Sequence, residues 1–134
     1  TSNTKEKYIE AASLKTICAF MNSEGGTLLI GVNDSGKPLG IEEEIQKFYK
    51  SNDKFLLHFK NIIRHRIGEQ VYALLEYEIR EFKGVNLLVI NCQKSDKEIF
   101  MNSEEFYVRT NPATDRLEGK RLLEYCRIRF GLNA

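Results

Sequence analysis

Apolar side chains recur at Ile9, Ala12, Leu14, Ile17, Cys18, Phe20 and Met21, and this helical spacing predicts a largely buried helix over residues 5–23. Gly25-Gly26 stops it, because glycine adopts the left-handed conformation of a helix end without steric penalty. The apolar run Thr27 to Val32 predicts a strand covered on both faces, closed by a turn at Asn33-Asp34-Ser35-Gly36. Ile41 to Tyr49 predicts a short helix. Ser51-Asn52 offers an N-cap for a stronger one, with Phe55, Leu56, Phe59, Ile62, Ile63 and Ile67 on one stripe and Gly68 closing it.

From Val71 the period changes to two. Leu75, Tyr77 and Ile79 alternate with Glu76, Glu78 and Arg80, which predicts a strand to Phe82 with one wet face. Lys83-Gly84 turns the chain into a more apolar partner, Val85 to Cys92. Glu98 to Met101 and Glu105 to Thr110 read as a second hairpin across Asn102-Ser103. Leu117, Leu122, Leu123, Cys126 and Phe130 define a last helix, stopped by Gly131. Consecutive strands with helices set apart give an α+β domain, a mixed and largely antiparallel sheet of about five strands packed with roughly three to four helices.

A chain of 134 residues has the length of one domain, so residues 1–134 are expected to form a single unit. The chain starts at Thr1 rather than Met, which suggests a domain excised from a larger protein. A formal net charge of +1 counts against a strongly basic nucleic-acid module unless charge is segregated onto one face. Cys18, Cys92 and Cys126 lie far apart in apolar stretches, without zinc-ligand spacing, and read as reduced core thiols of a cytoplasmic protein. No apolar run approaches the ~18–20 residues of a membrane helix, and no cofactor motif is recognisable.

Two long segments and a closing helix carry a family resemblance. Leu14 to Ile41, with Asn22-Ser-Glu-Gly-Gly-Thr-Leu-Leu-Ile-Gly-Val-Asn-Asp34 at its centre, and Phe106-Tyr-Val-Arg-Thr-Asn-Pro-Ala-Thr114 resemble the Schlafen/AlbA-type domain; Leu117 through Phe130 is similar to its last helix. The resemblance implies a DNA- or RNA-binding module, often a transcriptional regulator of bacterial origin joined to other domains. Some animal relatives are metal-assisted ribonucleases. This chain lacks the E-F-K strand that usually precedes the first helix, and none of its residues matches the catalytic acids of the animal proteins.

Gly25 and Gly26 resemble a phosphate cradle only superficially, since they end a helix rather than begin one and no Gly-Lys-Ser/Thr follows. They are read as structural, as are Asp34, Gly36 and Gly40 of the turn. Lys54, Lys60, Arg64, His65 and Arg66 form the densest basic cluster on one helix, and Lys60 and Arg64 project together. Arg109 precedes the loop Thr110 to Thr114, where hydroxyls, an amide and Arg116 could meet an anion, guanidinium binding phosphate through two parallel hydrogen bonds. The alternative is an ion pair of Arg109 with Glu24 or Glu10. Lys120 and Arg121 add charge to the last helix. The candidate nucleic-acid contacts are therefore Lys60, Arg64, Arg109, Arg116, Lys120 and Arg121, with no catalytic group or metal site assigned. A homodimer is a further candidate assembly, through the wet-faced strand around Tyr77.

Overall fold

A computed structural model describes residues 2–131, with side chains from Glu10 onward. Helix α1 (Ser2–Asn22) leads into strand β1 (Gly26–Ile30). A short helix α2 (Glu42–Glu44) widens into a π turn over Ile45–Tyr49, and α3 (Asn52–Arg66) follows. Strands β2 (Leu75–Phe82), β3 (Val85–Cys92), β4 (Phe100–Met101), β5 (Glu105–Arg109) and β6 (Thr114–Leu117) precede α4 (Gly119–Phe130). The fold is α+β.

The six strands divide between two antiparallel sheets, ordered β1-β3-β2 and β4-β5-β6, rather than forming one mixed sheet of five. The chain leaves the first sheet after Cys92 through a turn at Ser95. Its backbone N–H reaches Met21 O at 2.8 Å, and its hydroxyl both receives the Lys97 N–H and donates to Lys97 O. This turn diverts the chain past the end of α1 before pairing resumes. Strand β6 was not expected. It is four residues of mostly polar chain, too short for a period of two to register, and its pairing with β5 defines it.

Helix α1 is the layer the two sheets share. Its Leu14, Ile17, Cys18 and Met21 join Leu88, Ile90 and Cys92 of the first sheet, Phe59 and Ile63 of α3, and Tyr107 of β5 in one core. The far face of the second sheet presents Phe106, Val108 and Leu117 to Cys126 of α4. Ser51 caps α3 by accepting the Lys54 N–H at 3.2 Å. Val71 lies in a 3-10 segment, Glu69–Leu74, which Tyr72 ties to α3 by donating to Lys60 O at 3.0 Å. The strand therefore begins only at Leu75.

Strand β1 is not covered on both faces. Leu28 and Ile30 pack on the core, whereas Thr27 and Leu29 look outward, Leu29 being 46% exposed. In the following turn the organising side chain is Asn33 rather than Asp34. Its Oδ1 accepts from Ser35 N, the Ser35 hydroxyl and Lys37 N, because Asn33 occupies the first position of the turn closed by Gly36 N to Asn33 O.

Candidate nucleic-acid interface

The end of α1 is where both motif segments meet. Asn22 is fully buried; its Nδ2 donates to Ile99 O at 2.8 Å and Tyr107 O at 3.0 Å, and its Oδ1 accepts the Ile99 N–H at 2.8 Å. One amide thus joins α1 to β5 and to the segment entering β4. From the other side, Tyr125 donates to Asn22 O at 2.6 Å, and Arg129 donates to Asn22 O at 3.0 Å and Ser95 O at 2.6 Å. Side chains of α4 therefore satisfy carbonyls that a helix end leaves without partners. Gly25, with φ of +78°, donates to Phe20 O at 2.7 Å and ends the helix. A Cβ on Gly25 would lie 2.7 Å from Cys92 O, and one on Gly26 would lie 2.7 Å from the Phe20 ring. Both glycines admit close contacts of the fold, consistent with a structural role.

Alternation on β5 sends Glu105, Tyr107 and Arg109 to the face that meets α1. Their partners Arg116 and Thr114 share it, because Tyr107 pairs with Arg116 and Arg109 with Thr114. Arg109 donates through Nη1 to Thr114 Oγ1 at 2.9 Å, and its guanidinium carbon lies 5.3 Å from the Phe20 ring centroid. Its Nε is buried and has no hydrogen-bond partner among the described residues. Neither carboxylate considered for Arg109 pairs with it. Glu24 lies 3.3 Å from Lys94, and Glu10 lies 2.7 Å from His58. The loop hydroxyls are engaged internally as well, Thr110 donating to Asp115 and Thr114 receiving Arg109.

Beside Arg109 lies a denser polar group. Glu105 accepts from the Tyr107 hydroxyl at 2.6 Å and from Asn102 Nδ2 at 2.8 Å, with Arg116 Nη1 at 3.7 Å. The Tyr107 and Asn102 hydrogen bonds hold the Glu105 carboxyl below its ordinary range. Burial, with the Glu105 bond second, pushes the Tyr107 hydroxyl up to about 12. Lys15 of α1 stands 5.7 Å from the centre of the Tyr107 ring. Nothing in the spacing of α1 singles out Lys15; only the packing of α1 on β5 sets it over Tyr107.

The six expected contacts do not form one patch of like character. Arg109 and Arg116 share a sheet face, and Lys120 and Arg121 begin α4 just after β6. Arg116 is half exposed and also 3.0 Å from Glu118, Lys120 lies 4.0 Å from Glu124, and Arg121 is exposed. Lys60 and Arg64 stand on the exposed side of α3, where Lys60 Nζ is 5.3 Å from the Tyr72 ring centre. Among the described residues no three His, Cys, Asp or Glu side chains come together to hold a metal ion. No helix among them is long and apolar enough to cross a membrane.

Residues 1–118 match the Schlafen, AlbA_2 family. The chain belongs to the Schlafen AlbA_2 family. The match takes in the α1–β1 junction and the β5–β6 face, and α4 follows it. Membership supports a nucleic-acid-related domain. The Schlafen AlbA_2 fold is also similar to a crystal structure of the DIP2311 protein from Corynebacterium diphtheriae. That likeness has a TM-score of 0.65 at 19% identity, over 92% of this chain and 22% of that one. The chain thus spans about a fifth of the length of that protein, and the likeness concerns the fold alone.

Proposed function

We propose that this Schlafen AlbA_2 domain binds DNA or RNA through the phosphate backbone, as a non-catalytic regulatory module of a larger bacterial protein. The observation that carries the reading is that Arg109 and Arg116 share the β5–β6 face that meets α1, with Lys15 of α1 over the Tyr107 ring of that face, within a domain of a nucleic-acid-related family. Lys120 and Arg121 add exposed charge at the start of α4. The near-neutral total leaves carboxylates among these cations, Glu118 beside Arg116 and Glu124 beside Lys120. The Arg116–Glu118 and Lys120–Glu124 pairs are exposed, and such pairs are worth about 0–1 kcal/mol, so phosphate oxygens can replace these two carboxylates at little cost. The test is fluorescence anisotropy of labelled RNA and DNA across a salt series. Affinity should fall with salt, and Arg116→Gln and Arg121→Gln should each reduce the logarithmic slope by about 1. Absence of binding at low salt removes the reading.

A second reading has its own observation. Strand β2 is an edge of the first sheet, and pairing of its free edge with a second copy would make a dimer. Sedimentation should then show mass rising with concentration and reversed by a proline at Glu78. A monomer at every concentration rejects it.

A further inference from the structure

Between α1, the π turn after α2, and α3 lies an open-mouthed pocket of about 60 Å³. It has room for about four water molecules. Its floor is aliphatic, from Leu14, Ile30 and Leu88. Tyr49 and Phe55 line it with their rings 5.1 Å apart edge to face, and His58 lies 5.0 Å from Tyr49. The π turn, ended by Lys50 at φ of 73°, sets Tyr49 on this wall; such turns inside helices recur at functional sites.

Apart from His58, which Glu10 engages, the charge-bearing side chains at the pocket are carboxylates among the described residues. Glu10 and Glu44 line it, and no lysine or arginine does among the described residues, although the chain has 20 Lys and Arg in all. Glu10 spends one oxygen on His58 Nε2, at 2.7 Å, which leaves the other for a ligand. Glu44 is exposed and has no ion-pair partner among the described residues. An apolar floor, aromatic walls and carboxylates select one ligand chemistry. The ligand carries a cation that gains from carboxylate and ring face together, on a stem that gains from leaving water.

We propose that this pocket binds a small amphiphilic amine, a primary ammonium on an aliphatic stem of about three carbons, with the stem inward and the ammonium between Glu10 and Glu44. The site is separate from the proposed nucleic-acid contacts, and its occupancy does not depend on them.

A matched set of probes tests it: propylamine, 1-propanol and propionate, titrated into the protein while amide and aromatic NMR resonances are followed. Propylamine should shift the signals of Tyr49, Phe55 and His58 and bind about tenfold tighter than the alcohol, with no saturation by propionate. Glu44→Gln, at an exposed position that leaves the core intact, should erase the amine's advantage while the alcohol's affinity stays unchanged. Glu10→Gln should act in the same direction. Equal binding of amine and alcohol, an unchanged preference in Glu44→Gln, or amine shifts confined to other parts of the protein overturns the proposal.

Discussion

Arg109 holds its guanidinium carbon 5.3 Å from the centre of the Phe20 ring, and that ring occupies the space a side chain at position 26 would need. The double glycine of one motif and the arginine of the other are thus joined through one aromatic residue between them in space. Coupling of this kind is measurable. In a double-mutant cycle of Phe20→Leu and Arg109→Met, denaturant unfolding should give an interaction energy of about 0.5–1 kcal/mol. Gly26→Ala should cost roughly 1–3 kcal/mol in the parent, from overpacking against Phe20, and less in the Phe20→Leu background. Additivity of the pair rejects the contact.

Asn22 should be among the least replaceable polar residues. Asn22→Ala removes the partner of the Ile99 N–H and of two carbonyls in a buried site, so a loss of about 2–4 kcal/mol is expected in urea unfolding. Asn22→Asp should be no milder, because a carboxylate cannot donate to Ile99 O and Tyr107 O and would be buried with its charge.

Arg129 binds by geometry more than by charge. Its fork reaches carbonyls of Asn22 and Ser95 together, so Arg129→Lys should recover less than half of the stability lost in Arg129→Met. Thermal melts of the three proteins decide this, with the methionine variant expected about 1–3 kcal/mol below the parent.

The Glu105–Tyr107 pair makes stability depend on pH at both ends. The carboxyl is lowered in the folded state, so its contribution is present above the ordinary carboxylate value and is lost as pH falls through the lowered one. The hydroxyl is raised from 10.0 to about 12, so its contribution is full below 10.0 and declines as pH rises towards 12. Glu105→Gln should flatten the acid limb of the stability profile, and Tyr107→Phe should remove part of the alkaline decline.

Burial pushes the thiols of Cys18 and Cys92 up to about 12. Iodoacetamide at pH 8 should therefore modify neither in the folded protein, whereas both react once urea unfolds it. Mass spectrometry before and after unfolding reads this directly, and fast labelling of folded Cys18 refutes the packing.

Most of the elements are legible from local pattern. The period of α1, the Ser51 cap of α3, the alternation of β2 and the Lys83-Gly84 turn are written within a few residues each, because their causes act over a few residues. The motif around Gly25-Gly26 marks the family for a similar reason. A helix that must end and enter a strand against Cys92 O and Phe20 leaves few residues that fit. What the sequence does not state is which surfaces meet. The division into two sheets depends on Ser95 bonding to Met21, 74 positions away in the chain by their numbers, and β6 exists only through pairing with β5. The pattern leaves Arg109 open between an anion contact and an ion pair with Glu24 or Glu10, and the structure gives it a ring and a hydroxyl in place of those carboxylates. Lys15 reaches the seam, and Glu10 reaches His58, only because α1 packs against β5 on one side and α3 on another. Local propensity is a property of neighbours in the chain. The placement of charge and the shape of a pocket belong to neighbours in space, and burial of the apolar faces chooses those.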